Sequence, residues 1–164
     1  MTKIENGEKL DFNNVLIRPK RSTICSRSKV NLNREFKFRN CKLLKWKGVP
    51  IISANMDTTG TFGVYECLKD HSIITALHKF YTPQDFIEYT QTKPLDPEMF
   101  MVSTGISAKD FTKLCDIMRV VECNWICIDI ANGYIDSFLD FCQRVRKEFP
   151  YKIIVAGNVV TREL

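Results

Sequence analysis

The chain of 164 residues is 45% hydrophobic and 26% charged, a balance that excludes a disordered segment and is enough for one substantial core. Its longest uncharged apolar runs, such as SIITAL and FMVSTGI, fall far short of the roughly 20 residues a membrane-spanning helix needs, and the polar start MTKIENGEKLD does not read as a secretory signal; the expectation is a cytoplasmic protein without a membrane partner. The net charge of +5 comes without aromatic interleaving or a recognisable nucleic-acid module, so no nucleic acid is expected either.

Residues 1–48 read as an N-terminal extension. NNVLIRP, REFKFRN and KLLKWKG are short strand-like or extended segments, expected to pack on the bottom or rim of whatever follows. Between the first two lies RPKRSTICSRSK, residues 18–29, which holds Arg18, Lys20, Arg21, Arg27 and Lys29 and no acid. Such a run is either a solvated arm or a binding element for a phosphate-bearing small ligand. No linker rich in Gly, Pro or Ser separates the extension from the rest, so residues 1–164 are expected to form a single domain.

From Val49 onward apolar runs alternate with amphipathic stretches. VPIISA, SIITAL, MFMVST, WICIDIA and KIIVAG begin about 23 to 27 residues apart and are apolar on both faces, which predicts parallel strands covered on each side. TPQDFIEYTQ carries Thr82 as N-cap, Pro83 at the first helical position and Asp85 in the first turn. SAKDFTKLCDIMRVV places Phe111, Leu114, Cys115, Met118 and Val121 on one helical face, and YIDSFLDFCQRVRKEF does the same with Ile135, Phe138, Leu139, Cys142, Val145 and Phe149 before Pro150 ends it. Such stripes face a core. The repeat fits a doubly wound open sheet or part of a (β/α)8 TIM barrel. NMDTTGTFG after the first strand matches no dinucleotide or Walker loop, and a whole barrel takes about 250 residues, so the expectation is the first five βα units of a barrel behind the extension.

Seven cysteines, at 25, 41, 67, 115, 123, 127 and 142, contain no C-x-x-C pair and predict neither a disulfide framework nor a metal site. Polar residues gather instead at the strands' C-terminal ends: Asn55-Met56-Asp57, His78-Lys79, Thr104-Gly105, Asp129 with Asn132-Gly133, and Gly157-Asn158. In parallel α/β folds ligands bind at this edge. Each has a plainer reading: Asn55 and Asp57 as caps of the next helix, Lys79 as a surface lysine, His78 as a packed ring, Asp129 as a strand-end cap, the glycines as turns.

LDFNNVLIRPKRSTICSRS, GVPIISANMDTTGTF, ITALHKFY, IDIANGY and VAGNVVT, in this order and spacing, resemble the N-terminal half of the GMP reductases, relatives of the IMP dehydrogenases. IMP dehydrogenases generally insert a pair of regulatory domains after the second strand and helix and show SSPMDT; this chain runs straight from YTPQDFIEYTQTK to the third strand and has SANMDT. The resemblance implies a TIM barrel, usually a homotetramer, that converts GMP to IMP and ammonia with NADPH in purine nucleotide salvage and binds a potassium ion in its complete form. It implies that Ser26 and Arg27 contact NADPH bound mainly by a neighbouring subunit, that Lys79, Asp129, Ile130 and Ala131 line that cofactor's pocket, and that Met56 and Asn158 lie near the purine. The family's catalytic cysteine, threonine and glutamate lie after the fifth strand, so no catalytic residue and no metal ligand is assigned to this chain, which alone is expected to be inactive. Departing from the family's glycine-rich third strand end, this chain has STGIS. Two other readings stay open: a non-catalytic half-barrel binding a nucleotide or a partner, and an IMP dehydrogenase.

Overall fold

The computed structural model describes residues 7, 8 and 10–161, with the backbone alone for 42–44. The chain divides after Asn31 into two compact units. In the first, a 3-10 turn over Phe12–Asn14 is capped reciprocally: Asp11 accepts from the Phe12 amide at 2.7 Å and its own amide donates to Asn14 Oδ1 at 3.0 Å. NNVLIRP is therefore no strand. Its first residues are used in the turn, and the extended segment after it pairs with no strand among the described residues.

In the second unit, REFKF and CKLLKWKG form an antiparallel hairpin, β1 (Arg34–Phe38) and β2 (Cys41–Gly48). Then come β3 (Ile52–Ser53), α1 (Phe62–Lys69), β4 (Ile74–Leu77), α2 (Pro83–Thr92), β5 (Phe100–Thr104), α3 (Ala108–Val120), β6 (Trp125–Asp129), α4 (Asp136–Glu148) and β7 (Ile153–Gly157). The five strands β3 to β7 make one parallel sheet in chain order. β3 is shorter than VPIISA suggests. Pro50 has no N–H to give, and the Val49 amide is spent on Ser72 O and that of Ile51 on Val49 O.

The alternation of strand residues sorts the core. Phe100 of β5 meets Tyr65 of α1 and Phe86 of α2, with ring centroids 6.0 and 6.3 Å apart, on the helix-covered face. Ala76, Met101, Cys127 and Val155 line a cavity on the opposite face. The central strands β4 and β5 are buried throughout and β6 nearly so, whereas Ile52 of β3 is half exposed. Coverage on both faces thus holds in the middle of the sheet and fails at β3, which has a neighbour on one side only.

Helix starts follow the sequence signals. Thr82 with Asp85, and Ser107 with Asp110, form capping boxes on α2 and α3. Asn55 and Asp57 do not cap: Met56 O receives the amides of Thr59 and Gly60, that turn intervenes, and Thr61 caps α1. The buried stripe of α3 includes Ile117, which the sequence reading omitted. That of α4 is Phe138, Phe141 and Val145, while Ile135 and Leu139 are exposed. Ile135 is the N-cap, outside the helix, and the buried arc turns with the 3.6-residue period from Phe138 to Phe141, leaving Leu139 beside it.

The hairpin closes the N-terminal end of the sheet. Trp125, first residue of β6, sits edge-on between Trp46 (5.9 Å, 90°) and Phe38 (5.1 Å, 81°), and the Cys41 thiol donates to Tyr151 O at 2.9 Å.

Candidate functional site at the strand ends

The cavity on the concave face has a volume of about 310 Å³ and opens at the C-terminal ends of the strands. Asn55, Met101, Cys127, Asp129, Val155 and Asn158 contribute to its wall. Parallel packing forces this convergence, because successive strands all end on the same side of the sheet.

Asp129, last residue of β6, is half-buried, and its Oδ2 accepts from the side-chain amide of Asn55 at 3.0 Å. That bond spans from the end of β3 to the end of β6 and leaves Oδ1 without a partner among the described residues. Asp129 is therefore not a turn cap: its carboxylate is oriented from across the sheet. Beyond the strands the ladder continues in the loops, with the Ile130 amide on Gly157 O, the Asn158 amide on Ile130 O and the Gly133 amide on Asn158 O, each at 2.9 Å. Gly133 is there because nothing larger fits: a Cβ would stand 2.7 Å from Asn158 O and 2.8 Å from Val159 Cγ1.

Lys79 follows β4 and is exposed, outside the cavity wall. Its carbonyl accepts from Lys113 Nζ. Burial pushes the Asp110 carboxyl up, but hydrogen bonds from Ser107 and the charges of Lys113 and Lys79 outweigh it and hold Asp110 below its ordinary value. His78 is a packed ring, stacked on Tyr81 at 4.0 Å and 15°, while its main-chain amide donates to Gly60 O. Thr104 Oγ1 is buried and turned to the Gly105 and Asp110 carbonyls.

Of the residues singled out in the sequence, the structure joins Asn55, Asp129, Gly157 and Asn158 in one cavity. Ile130 and Ala131 follow β6 directly but do not line the cavity, Ile130 packing against the core instead, and Met56 lies in the turn after β3, largely exposed. Ser26 and Arg27 belong to the first unit. Ser26 caps a 3-10 turn over Arg27–Lys29, accepting from the Ser28 amide at 3.3 Å, and both line a shallow depression with Ser22 and Cys25. Asn55 had been read as either a cap or a ligand, and its true partner lies 74 residues further on, beyond any local signal. Cys127, one of the seven cysteines for which the sequence predicts no metal or disulfide role, also lines the cavity. Burial raises its thiol to about 11 against a weaker opposite pull from Ser103, whose hydroxyl makes no bond of full hydrogen-bond geometry, so the thiol is neutral at pH 7 and no nucleophile. Among the described residues no three His, Cys, Asp or Glu side chains are grouped to hold a metal ion.

A parallel sheet wound in chain order, helices on its convex face and polar groups at the C-terminal strand ends define a portion of a TIM barrel with its ligand-binding mouth. The model of the IMP dehydrogenase / GMP reductase domain matches residues 9–164, and the chain belongs to that family. It is 49% identical over 165 residues to a GMP reductase of Tolumonas auensis, covering 99% of this chain and 47% of the relative. With a GMP reductase of Onchocerca volvulus the identity is 48% over 168 residues, covering 100% and 46%. The chain thus spans about half the length of these relatives. Among solved structures, the inosine 5′-monophosphate dehydrogenase of Legionella pneumophila superposes with a TM-score of 0.66 at 22% identity over 85% of this chain and 42% of that one, which supports the barrel fold.

Proposed function

We propose that the complete protein is an NADPH-dependent GMP reductase, converting GMP to IMP and ammonia in purine nucleotide salvage, and that residues 1–164 are one portion of its barrel domain. The observation that carries this reading is the 49% identity to a GMP reductase across 99% of the chain. Asp129 fits the proposed role because its Oδ1 has no donor among the described residues and can accept from a cofactor hydroxyl or amide, while Asn55 fixes its plane. Ile130 and Ala131 would extend that wall, and Lys79 would add positive charge beside it. Arg27, with Ser26, suits the 2′-phosphate of NADPH, since a guanidinium binds phosphate bidentately. Met56 and Asn158 would border the purine. A volume of about 310 Å³ lies at the small end of ligand pockets and suits one ring system of a nucleotide rather than a whole dinucleotide. Bound NADPH would supply the hydride; this chain's share is to bind and orient. A potassium ion, a homotetrameric assembly and a cytoplasmic location complete the proposal.

The test is consumption of NADPH by the full-length protein, expected only when GMP is added. Asp129→Ala and Arg27→Ala should each raise the KM for NADPH about tenfold or more, the scale of one lost charge-assisted hydrogen bond. An unchanged KM in both would overturn the residue assignments, and reaction of IMP with NAD instead would make the protein an IMP dehydrogenase. A second reading, a non-catalytic half-barrel that binds a nucleotide or a partner, draws on β3 and β7, each paired on one side only among the described residues. If the 164-residue chain sediments as a clean monomer, that reading fails.

A further inference from the structure

Tyr134 stands at the end of the loop ladder that follows β6. Its hydroxyl oxygen receives the main-chain amides of Val160 at 2.8 Å and Thr161 at 2.7 Å, and lies 3.0 Å from Thr161 Oγ1. A phenol oxygen accepts two hydrogen bonds and donates one. With two amides on its lone pairs, the contact to Thr161 Oγ1 is one in which the phenol donates. Two consecutive amides converging on one oxygen form a small concavity of the kind that elsewhere holds an anion. Here a side chain from the neighbouring loop fills it.

At its start the clasped loop is held by the two backbone bonds at Asn158, and beyond them its side chains are exposed. Val160 is 90% and Val159 40% exposed, so apolar burial does not fix its course. Next to Tyr134, Gly133 brings its backbone against Asn158 O, an approach any side chain would block. Residues 133 and 134 therefore act together, one by close approach and the other by three polar contacts. The two loops they join follow Asp129 of β6 with Ile130 and Ala131 on one side and begin at Asn158 on the other.

We propose that Tyr134 is a positioning residue that clasps the loop after β7 to the loop after β6, so that the cofactor-side and purine-side residues present a single preformed wall. This rests on the reading of the mouth as a nucleotide site. Separate loops would each lose freedom when a nucleotide binds, and a clasp made beforehand removes that loss for both ligands at once.

Tyr134→Phe keeps the ring and deletes the hydroxyl. In the full-length protein, hydrogen exchange followed by mass spectrometry should show peptides spanning 158–161 exchanging about tenfold faster, the loss of one to two hydrogen bonds, while peptides of β5 and β6 stay unchanged. The KM values for NADPH and GMP should rise together by about threefold or more with kcat within about twofold, as for lost uniform binding. Thr161→Ala, which removes one of the three contacts, should give a smaller effect of the same pattern. Unchanged exchange over 158–161 in Tyr134→Phe overturns the clasp. Faster exchange with both KM values unchanged overturns its link to binding and leaves the nucleotide site standing. Absence of GMP-dependent NADPH oxidation in the unaltered protein overturns the site reading itself, and the exchange result then still decides whether the clasp exists.

Discussion

The two ends of the strands are built on opposite principles. At the N-terminal end Trp125 is wedged among Trp46 and Phe38, buried to a few per cent, and serves packing. Four residues along the same strand, Asp129 is half-buried, hydrogen-bonded across the sheet and open to ligand on one oxygen. One strand thus carries apolar packing at its start and, under the proposed function, binding at its end, and a parallel barrel permits this because every strand runs the same way.

The comparison is broken most directly at the closed end. Trp125→Ala should cost about 3–5 kcal/mol of stability, read as a shift in a denaturant midpoint, because it leaves a void between two aromatic rings. If its full effect appears instead as a change in nucleotide affinity at constant stability, the division between the ends is wrong. At the mouth, Asn55→Ala should cost about 1 kcal/mol or less in stability and yet raise the KM for NADPH several-fold, because Asp129 loses the donor that fixes its plane. Equal losses in stability and affinity would make Asn55 merely structural.

The smallest effect is expected at neither end, in the helix layer. Glu66 accepts from the Tyr89 hydroxyl and from Lys69 at 3.1 Å, with Lys93 at 3.4 Å, and these donors, Tyr89 foremost, lower its carboxyl from 4.5 to about 2. A carboxyl lowered in the folded state contributes stability above its unfolded value and loses it as the pH falls through its folded one. Acid titration should therefore show a component lost between about pH 4.5 and 2 that Glu66→Gln abolishes, with Asn55→Ala leaving it intact.

Much of this was legible in the sequence because it is local. Thr82, Pro83 and Asp85 announce α2 within four residues, and the capping box they predict is present. The parallel sheet followed from five apolar runs at an even interval, and Asp129 drew notice as an acid in such a run. Hidden were the relations that only folding creates. Asn55 is an ordinary polar residue after a strand until the sheet brings β6 opposite it. NNVLIRP has the composition of a strand, but a strand needs a partner, and Asp11 and Asn14 commit its start to a turn. Leu139 fell outside the buried stripe because the apolar residues of this segment span more than one face, and the packed arc runs from Phe138 to Phe141 and Val145, on the far side of Phe138 from Leu139.

The order of the sheet bears on how the molecule comes into being. Each of β4, β5 and β6 pairs only with its predecessor and successor in the chain, so each βα unit can join the growing edge as it leaves the ribosome, within a few seconds at about 5–20 residues per second. The hairpin is the exception. Made first, it waits for Trp125, which arrives some 77 residues after the hairpin's last residue, Gly48. Until then Trp46 has only Phe36 of its own hairpin against it, so the interval before β6 appears is when this nascent chain shows the most unmatched apolar surface at that end.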